Sequence, residues 1–423
     1  MNPAQPPPPA HQADIRLLFL TRSLRMFAYG LLSVILVLYL AELGLGEARI
    51  GLLLTLTLVG DTAISLWLTT RADRLGRRRM LVAGAALMAF AGVVFALTRQ
   101  PWLLLIAGVI GVISPSGKEV GPFLAIEQAA LAHVISGQRR TAVFAWYALA
   151  GSLSAALGAL AGGAIFQLLH HGGISALTSY RALVFAYAAA GVLLAALFIR
   201  LTAAVEAEQP DRTKGLVKSI LGLHESRRVV FRLSALFALD AFAGGFVMDS
   251  FLAYWFSRRF GINVAVIGGI LFGANLLAGF SALLAARIAG RFGLINTMVF
   301  THLPSNFLLI LVPLMPNLPL AIAVLLLRFS ISQMDVPTRQ SYTMAVVTPR
   351  ERATAAGLTG VARTIGAAIA PALAGLLLAR QNLASSLFFF AGGLKIVYDL
   401  LLYRSFLSQR PPEELVIPTE KPA

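Results

Sequence analysis

Asp73-Arg74-Leu75-Gly76-Arg77-Arg78-Arg79 sets five charges and one glycine between two long apolar stretches, and this run decides the fold. A chain with hydrophobic runs on both sides of an arginine cluster crosses a membrane there and turns back. Positive side chains are retained on the cytoplasmic face during insertion. Gly76 admits a tight turn. Asp73, ahead of that glycine, is placed to cap a helix or to pair with an arginine of a neighbouring helix. The loop of Asp73, Arg74, Gly76, Arg77 and Arg78 is therefore a candidate conformational latch. The plainer reading is a solvated loop that only sets topology.

The rest of the chain agrees with a membrane setting. Of 423 residues, 58% are hydrophobic and 13% charged, far from the composition of a soluble domain. An all-α membrane protein is expected, with the lipid bilayer as its surroundings. The net charge of +16 would suggest nucleic acid in a soluble chain, but the lysines and arginines sit mostly at the ends of apolar runs. Topology explains the excess, and no nucleic-acid partner is expected. The absence of cysteine excludes disulfides, thiol catalysis and thiolate metal sites. His170 and His171 lack further evident ligands, so no metal and no cofactor are predicted.

A span needs roughly 20 apolar residues to cross about 30 Å of hydrocarbon. On that rule the sequence holds twelve spans: 17–43, 48–71, 78–98, 101–133, 140–169, 179–202, 229–257, 263–287, 293–316, 318–346, 353–380 and 384–406. The first is too long for a signal core and is expected to remain as a helix. The domain plan follows: a disordered proline-rich tail over 1–15, a six-helix bundle over 16–202, a cytoplasmic linker over 203–228 with Arg212, Lys214 and Lys218, a second six-helix bundle over 229–408, and a tail over 409–423. Inner loops carry Arg139-Arg140, Arg291, Arg350 and Arg352, so both termini are predicted to be cytoplasmic. Only Arg258-Arg259 sits on the wrong side. A bacterial inner membrane is the expected location, and a monomer the expected state.

The halves also match one another. Arg71 to Gly76, after the second span, aligns with Ile288 to Gly293, after the eighth. Gln138-Arg139-Arg140-Thr141 aligns with Glu351-Arg352-Ala353-Thr354 at nearly the same offset. A duplicated six-helix unit is a transporter device.

With these residues in view the chain resembles the major facilitator superfamily (MFS) over residues 16–408. Asp73, Arg74, Gly76, Arg77 and Arg78 fit the family's loop motif, with Thr69 where the family has its first glycine. Gly158, Gly162 and Gly163 on the fifth span resemble a pattern frequent in the drug and proton antiporter branch, with Ala159 in place of proline. Gly366, Ala370-Pro371 and Gly375 give a fuller version on the eleventh span. Ordinary close packing of membrane helices is the alternative reading of these small residues. The resemblance implies two pseudo-symmetric bundles, a cavity lined by the first, fourth, seventh and tenth spans, and a loop motif that meets the eleventh span, where Arg363 is a candidate neighbour.

Charges within spans cost about 2.5–3.5 kcal/mol each unless paired or hydrated. Counting at about 1.5 Å per residue puts Asp240 and Arg328 near the midplane, where a pair coupled to substrate or proton is expected; a structural salt bridge is the alternative. Arg22 and Arg25 fall at the depth of Glu119. Asp335 and Arg339 share one helix face, with Arg232 at similar depth. These form either a proton site or a salt-bridged gate. Asp240, Glu119, Asp61 and Asp335 are the candidate proton carriers, and Arg22, Arg25, Arg328, Arg339 and Arg232 the candidate cavity or gate charges. Tyr29, Trp146, Tyr147, Phe246, Tyr254 and Trp255 offer stacking surface or face lipid.

No Gly-Lys-Ser/Thr phosphate loop and no nucleophile paired with a base are present, so neither ATP drive nor an enzyme is expected. The expected function is secondary active transport by alternating access, as proton-coupled efflux of a small organic compound. Symport or facilitated diffusion of an organic anion is the rival within transport. A non-transporting membrane receptor is the rival outside it.

Overall fold

A computed structural model describes residues 9–135, 137–206, 225–348 and 351–407. The first eight residues, Arg212, Lys214 and Lys218 of the expected linker, Arg350, and the tail from 408 lie outside the described residues. Among those described, fifteen α-helices run Pro9–Glu42 (α1), Glu47–Leu75 (α2), Arg77–Leu97 (α3), Pro101–Ile110 (α4), Phe123–Val134 (α5), Gly137–His171 (α6), Ala176–Ile199 (α7), Arg227–Gly245 (α8), Asp249–Phe260 (α9), Val264–Phe292 (α10), Leu294–Leu311 (α11), Leu318–Ser332 (α12), Asp335–Ala345 (α13), Arg352–Leu378 (α14) and Ser386–Phe406 (α15). Among the described residues eleven helical runs are long and apolar enough to cross a membrane. The protein is a multi-pass, all-α membrane protein with two six-helix bundles.

Three expected spans are broken, and the fourth most severely. Residues 111–122 leave the helix between α4 and α5. Pro115 has no N–H to give, Gly117 and Gly121 adopt φ of 63° and 80°, and Pro122 opens α5. Backbone groups freed inside a membrane need protein partners, and here they have them. The Ser114 hydroxyl donates to Lys118 O at 2.7 Å, Tyr29 to Val120 O at 3.3 Å and Tyr187 to Val112 O at 2.7 Å. The Ser250 hydroxyl and amide both donate to Pro115 O. The seventh span breaks at 246–248, between α8 and α9, and the tenth at 333–334, between α12 and α13.

The chain divides into two compact units. The first holds the described residues 9–206 together with Met248–Leu276, and the second 225–247 and 277–407. Past the break after α8 the chain rejoins the first unit, which takes in α9 and the start of α10. There Gly163 of α6 meets Val264, Ala265 and Gly268 so closely that a Cβ would lie 2.6 Å from the Val264 carbonyl. At the start of the described residues α1 already begins at Pro9, within the segment expected as a tail. Buried Asp14 holds that first turn by accepting from the Thr202 amide at 3.0 Å and hydroxyl at 2.6 Å.

Each unit packs one long helix pair through small residues. In the first, a Cβ on Gly158 of α6 would fall on the Phe27 carbonyl of α1, and one on Gly162 would press Leu31. In the second, a Cβ on Gly366 of α14 would fall on the Ala238 carbonyl of α8, while Pro371 and Gly375 are buried further along α14. Such contact brings backbones together where apolar side chains gain little from leaving lipid. Leu233, Phe237, Met298, Tyr342, Tyr398 and Leu402 fill the core of the second unit. Outward-facing Trp102, Leu97 and Leu168 present an apolar surface.

Candidate functional site

The first unit buries a four-residue charge cluster built across its broken span. Arg25 of α1 has no exposed side-chain surface and holds two carboxylates at once. Its Nη1 and Nη2 donate to the two oxygens of Glu127 on α5 at 2.6 and 2.8 Å, while Nε and Nη2 donate to Glu119 Oε1 at 3.1 and 2.6 Å. Glu127 also accepts from the Tyr147 hydroxyl of α6 at 2.5 Å and lies wholly buried, so its lone pairs are filled. Glu119 differs. It sits on the unwound stretch, keeps 16% of its side chain exposed, and faces Arg22 Nη1 at 3.1 Å without a well-aligned bond. Arg22 lies over the Tyr147 ring at 4.5 Å, and its Nε has no acceptor among the described residues.

The structure therefore brings Arg22, Arg25 and Glu119 together, as their depths suggested, and adds Glu127. Asp61, buried on α2, accepts the Gly121 amide at 3.2 Å and so anchors the end of the same break. Of the aromatic candidates, Tyr29, Tyr147 and Tyr254 spend their hydroxyls on Val120 O, Glu127 and Glu47. Trp255 is buried, Phe246 is buried against Phe390, and Trp146 is exposed.

A second cluster lies in the second unit around Asp240 of α8. Lys395 of α15 donates to Asp240 Oδ1 at 2.5 Å and Arg339 of α13 to Oδ2 at 3.0 Å, with His302 Nε2 of α11 at 3.9 Å. The expected Asp240–Arg328 pair is thus corrected: Arg328 stands on α12, before the break at 333–334, and lies over the Phe329 ring. Depth along a span does not fix the rotational phase of a side chain around it. Arg339 also pairs with Asp335 at 3.2 Å, one turn back. Arg232 is not part of this cluster. It is exposed on α8, on the side away from buried Val230, Leu233 and Phe237.

Sequence reasoning missed Lys395, His302 and Asp399. The signal was available: two charges one turn apart in the last apolar span are costly unless partnered. Among the described residues no group of three or more His, Asp or Glu side chains is arranged to hold a metal ion.

The loop around Asp73 folds on itself. Gly76 takes φ of 101°, and the 46%-exposed Asp73 side chain pairs with Arg77 at 2.9 Å. Glu206, another residue not singled out, caps α3 by accepting the amides of Arg77 at 2.6 Å and Arg78 at 3.2 Å. Arg77 Nη1 donates to Val205 O, and Arg78 Nη1 to Leu201 O. This ties the turn to the end of the first bundle.

Comparison with known proteins agrees with this architecture. The family model described as the Major Facilitator Superfamily matches residues 18–371. An uncharacterized membrane protein of Saccharomyces cerevisiae is 32% identical over 422 residues, covering 93% of this chain and 94% of its own. A Na(+), Li(+), K(+)/H(+) antiporter of Planococcus maritimus is 32% identical over 131 residues, 31% of each chain. Among solved structures, a bacterial homologue of the human lysosomal transporter Spinster, inward-facing and unoccupied, superposes with a TM-score of 0.71 at 17% identity, covering 98% of this chain and 99% of that one. The nucleoside transporter NupG, as a mutant, gives 0.75 at 14% identity over 93% and 99%. These structural likenesses show a shared fold.

Proposed function

Because the chain belongs to the Major Facilitator Superfamily, we propose that it exports a small organic compound in exchange for protons, by alternating access. It is a multi-pass membrane transporter and not an enzyme. The single observation that carries proton exchange is Glu119: a carboxylate on the unwound part of a broken span, partly accessible and held by two arginines. Non-helical backbone at membrane depth is a mark of transport sites.

The two glutamates of the cluster have different roles. Glu127 is fully bonded and remains fixed. Glu119 can take a proton, and doing so cancels the ion pair of Arg22 while Arg25 keeps Glu127. Protonation thus frees one guanidinium without collapsing the cluster. The partial likeness to a proton-exchanging antiporter supports the direction. Asp61, which fixes the end of the break, and the loop around Asp73 are proposed to favour one conformation over the other.

A second reading is proton symport or facilitated diffusion of an organic anion. Arg22 favours it, since among the described residues its buried Nε has no hydrogen-bond acceptor, a donor that an anionic ligand reaching the cluster would satisfy.

The test uses purified protein in liposomes with an enclosed pH-sensitive dye, screened against organic compounds. Compound-dependent proton flux in the wild type, lost by about tenfold or more in Glu119→Gln, is the expected result. Undiminished flux in a folded Glu119→Gln protein contradicts the role given to Glu119.

A further inference from the structure

The second unit contains a buried carboxylate whose counter-charge depends on protonation. Asp399 of α15 has 1% of its side chain exposed. Its Oδ1 shares a hydrogen bond of 2.8 Å with His302 Nδ1, and its Oδ2 accepts from Asn306 Nδ2 at 2.9 Å. Among the described residues no lysine or arginine lies within ion-pair distance of it. Lys395, one turn back on the same helix, is committed to Asp240. An ionised carboxylate this deep without a paired charge is costly. The dyad therefore favours holding one proton, either on the imidazole as an ion pair or on the carboxyl.

His302 faces a second carboxylate across its ring, with Nε2 3.9 Å from Asp240 Oδ1. Several charged and titratable groups surround it. From α15 come Asp399, Lys395 and Tyr398, whose ring is 5.9 Å from the imidazole. From α8 comes Asp240, and from α13 Arg339, with Asp335 paired to it. Arg363 of α14 is close enough to interact with Arg339, Asp240 and Asp335. The charged residue of α12 is Arg328, over Phe329. Asn306, on the same helix, donates to Asp399 Oδ2, with its Nδ2 also 3.2 Å from His302 Nδ1.

We propose that His302 and Asp399 form a proton-binding dyad that exchanges its proton with Asp240. In that step the Nε2–H bond of the imidazolium breaks and an O–H bond forms at Asp240 Oδ1. The imidazole is left neutral, with Nδ1–H still donated to Asp399. Neutral Asp240 then releases Arg339 and Lys395, and Lys395, one turn back on α15, takes over as the counter-charge of Asp399 while the contact between α8, α13 and α15 loosens. Closing 3.9 Å to hydrogen-bond reach needs a shift of about 1 Å. Its use in transport rests on the proton-coupled reading above, while proton binding by the dyad does not.

The first measurement needs no substrate. Infrared spectra of the full chain in liposomes are recorded from about pH 5 to about pH 8, the span in which histidine ordinarily changes charge. Among the imidazole and carboxyl bands that change with pH in the wild type, one is expected to be missing from both His302→Gln and Asp399→Asn. Should either variant fail to fold, a protein with His11, His133, His170, His171 and His224 replaced leaves His302 as the single histidine. Its isotope-labelled ring is then followed by NMR.

A ring and carboxyl that keep one protonation state throughout overturn the proposal, as does loss of the change in only one variant. In the dye assay, His302→Gln is expected to lower compound-dependent proton flux about 100-fold. Titration of the dyad in a wild type that moves compounds without protons would sink the proton-coupled reading alone. Wild-type coupling with a silent dyad would sink this proposal alone.

Discussion

Asp240→Asn is expected to abolish proton-driven transport and to lower stability by about 3–5 kcal/mol, because it strips the counter-charge from buried Lys395 and leaves Arg339 with Asp335 alone. Lys395 and Arg339 each donate to one oxygen of this carboxylate, at 2.5 and 3.0 Å, and His302 lies beside it. Asparagine keeps the shape and one acceptor but neither the charge nor the ability to take a proton. Unfolding in detergent measures the first loss and the liposome dye assay the second. The double change Asp240→Asn with Lys395→Met removes the orphaned cation along with its partner. It should recover much of the stability and none of the coupling, since replacing both members of a buried pair is far milder than replacing one. A single variant as stable and as active as the wild type would remove Asp240 from the account.

Arg25→Met is expected to be at least as damaging, and chiefly to folding. It leaves Glu127, with no exposed side-chain surface, facing only hydroxyl donors, and removes two of the bonds to Glu119. A loss of about 3–5 kcal/mol is expected, seen as poor accumulation in the membrane or a lowered unfolding midpoint. Arg25→Lys should not rescue it. One ammonium is a compact charge and cannot present the planar fork that reaches both oxygens of Glu127 while also holding Glu119. Adding Glu127→Gln to Arg25→Met should restore part of the loss. Equal stability of Arg25→Lys and the wild type would show that the fork geometry is not what matters.

Much of the architecture was legible in the sequence because hydropathy and loop charge act over whole spans. The arginine cluster after Asp73, the internal match between the loops at 71 and 288, and the long apolar runs were sufficient for an all-α transporter fold. The break at 111–122 was not read, although Gly111, Pro115, Gly117, Gly121 and Pro122 spell it out. A hydropathy window averages over glycine and proline, and the flanking Ile110, Val112 and Ile113 keep the mean high. Depth counting brought Arg22, Arg25 and Glu119 to one level, where the structure joins them. The same counting matched Asp240 to Arg328 and placed Arg232 beside Arg339, because it carries no information on which side of a helix a residue faces. His302 and Asp399 were passed over for a related reason. Lys395 and Asp399, one turn apart, signalled that partners were needed, but which partners these are lies in contacts such as the one from Asp399 to His302, across 97 residues of sequence.

The most direct test of proton exchange is the steady-state ratio of a transported compound across the liposome membrane as the imposed pH difference is varied. For one proton exchanged per neutral compound, each pH unit supplies about 1.4 kcal/mol. The ratio should therefore change about tenfold per unit, with the compound accumulating on the side from which protons leave. A ratio that stays at one whatever the pH difference, while the compound still crosses, would make the protein a facilitator and contradict the account.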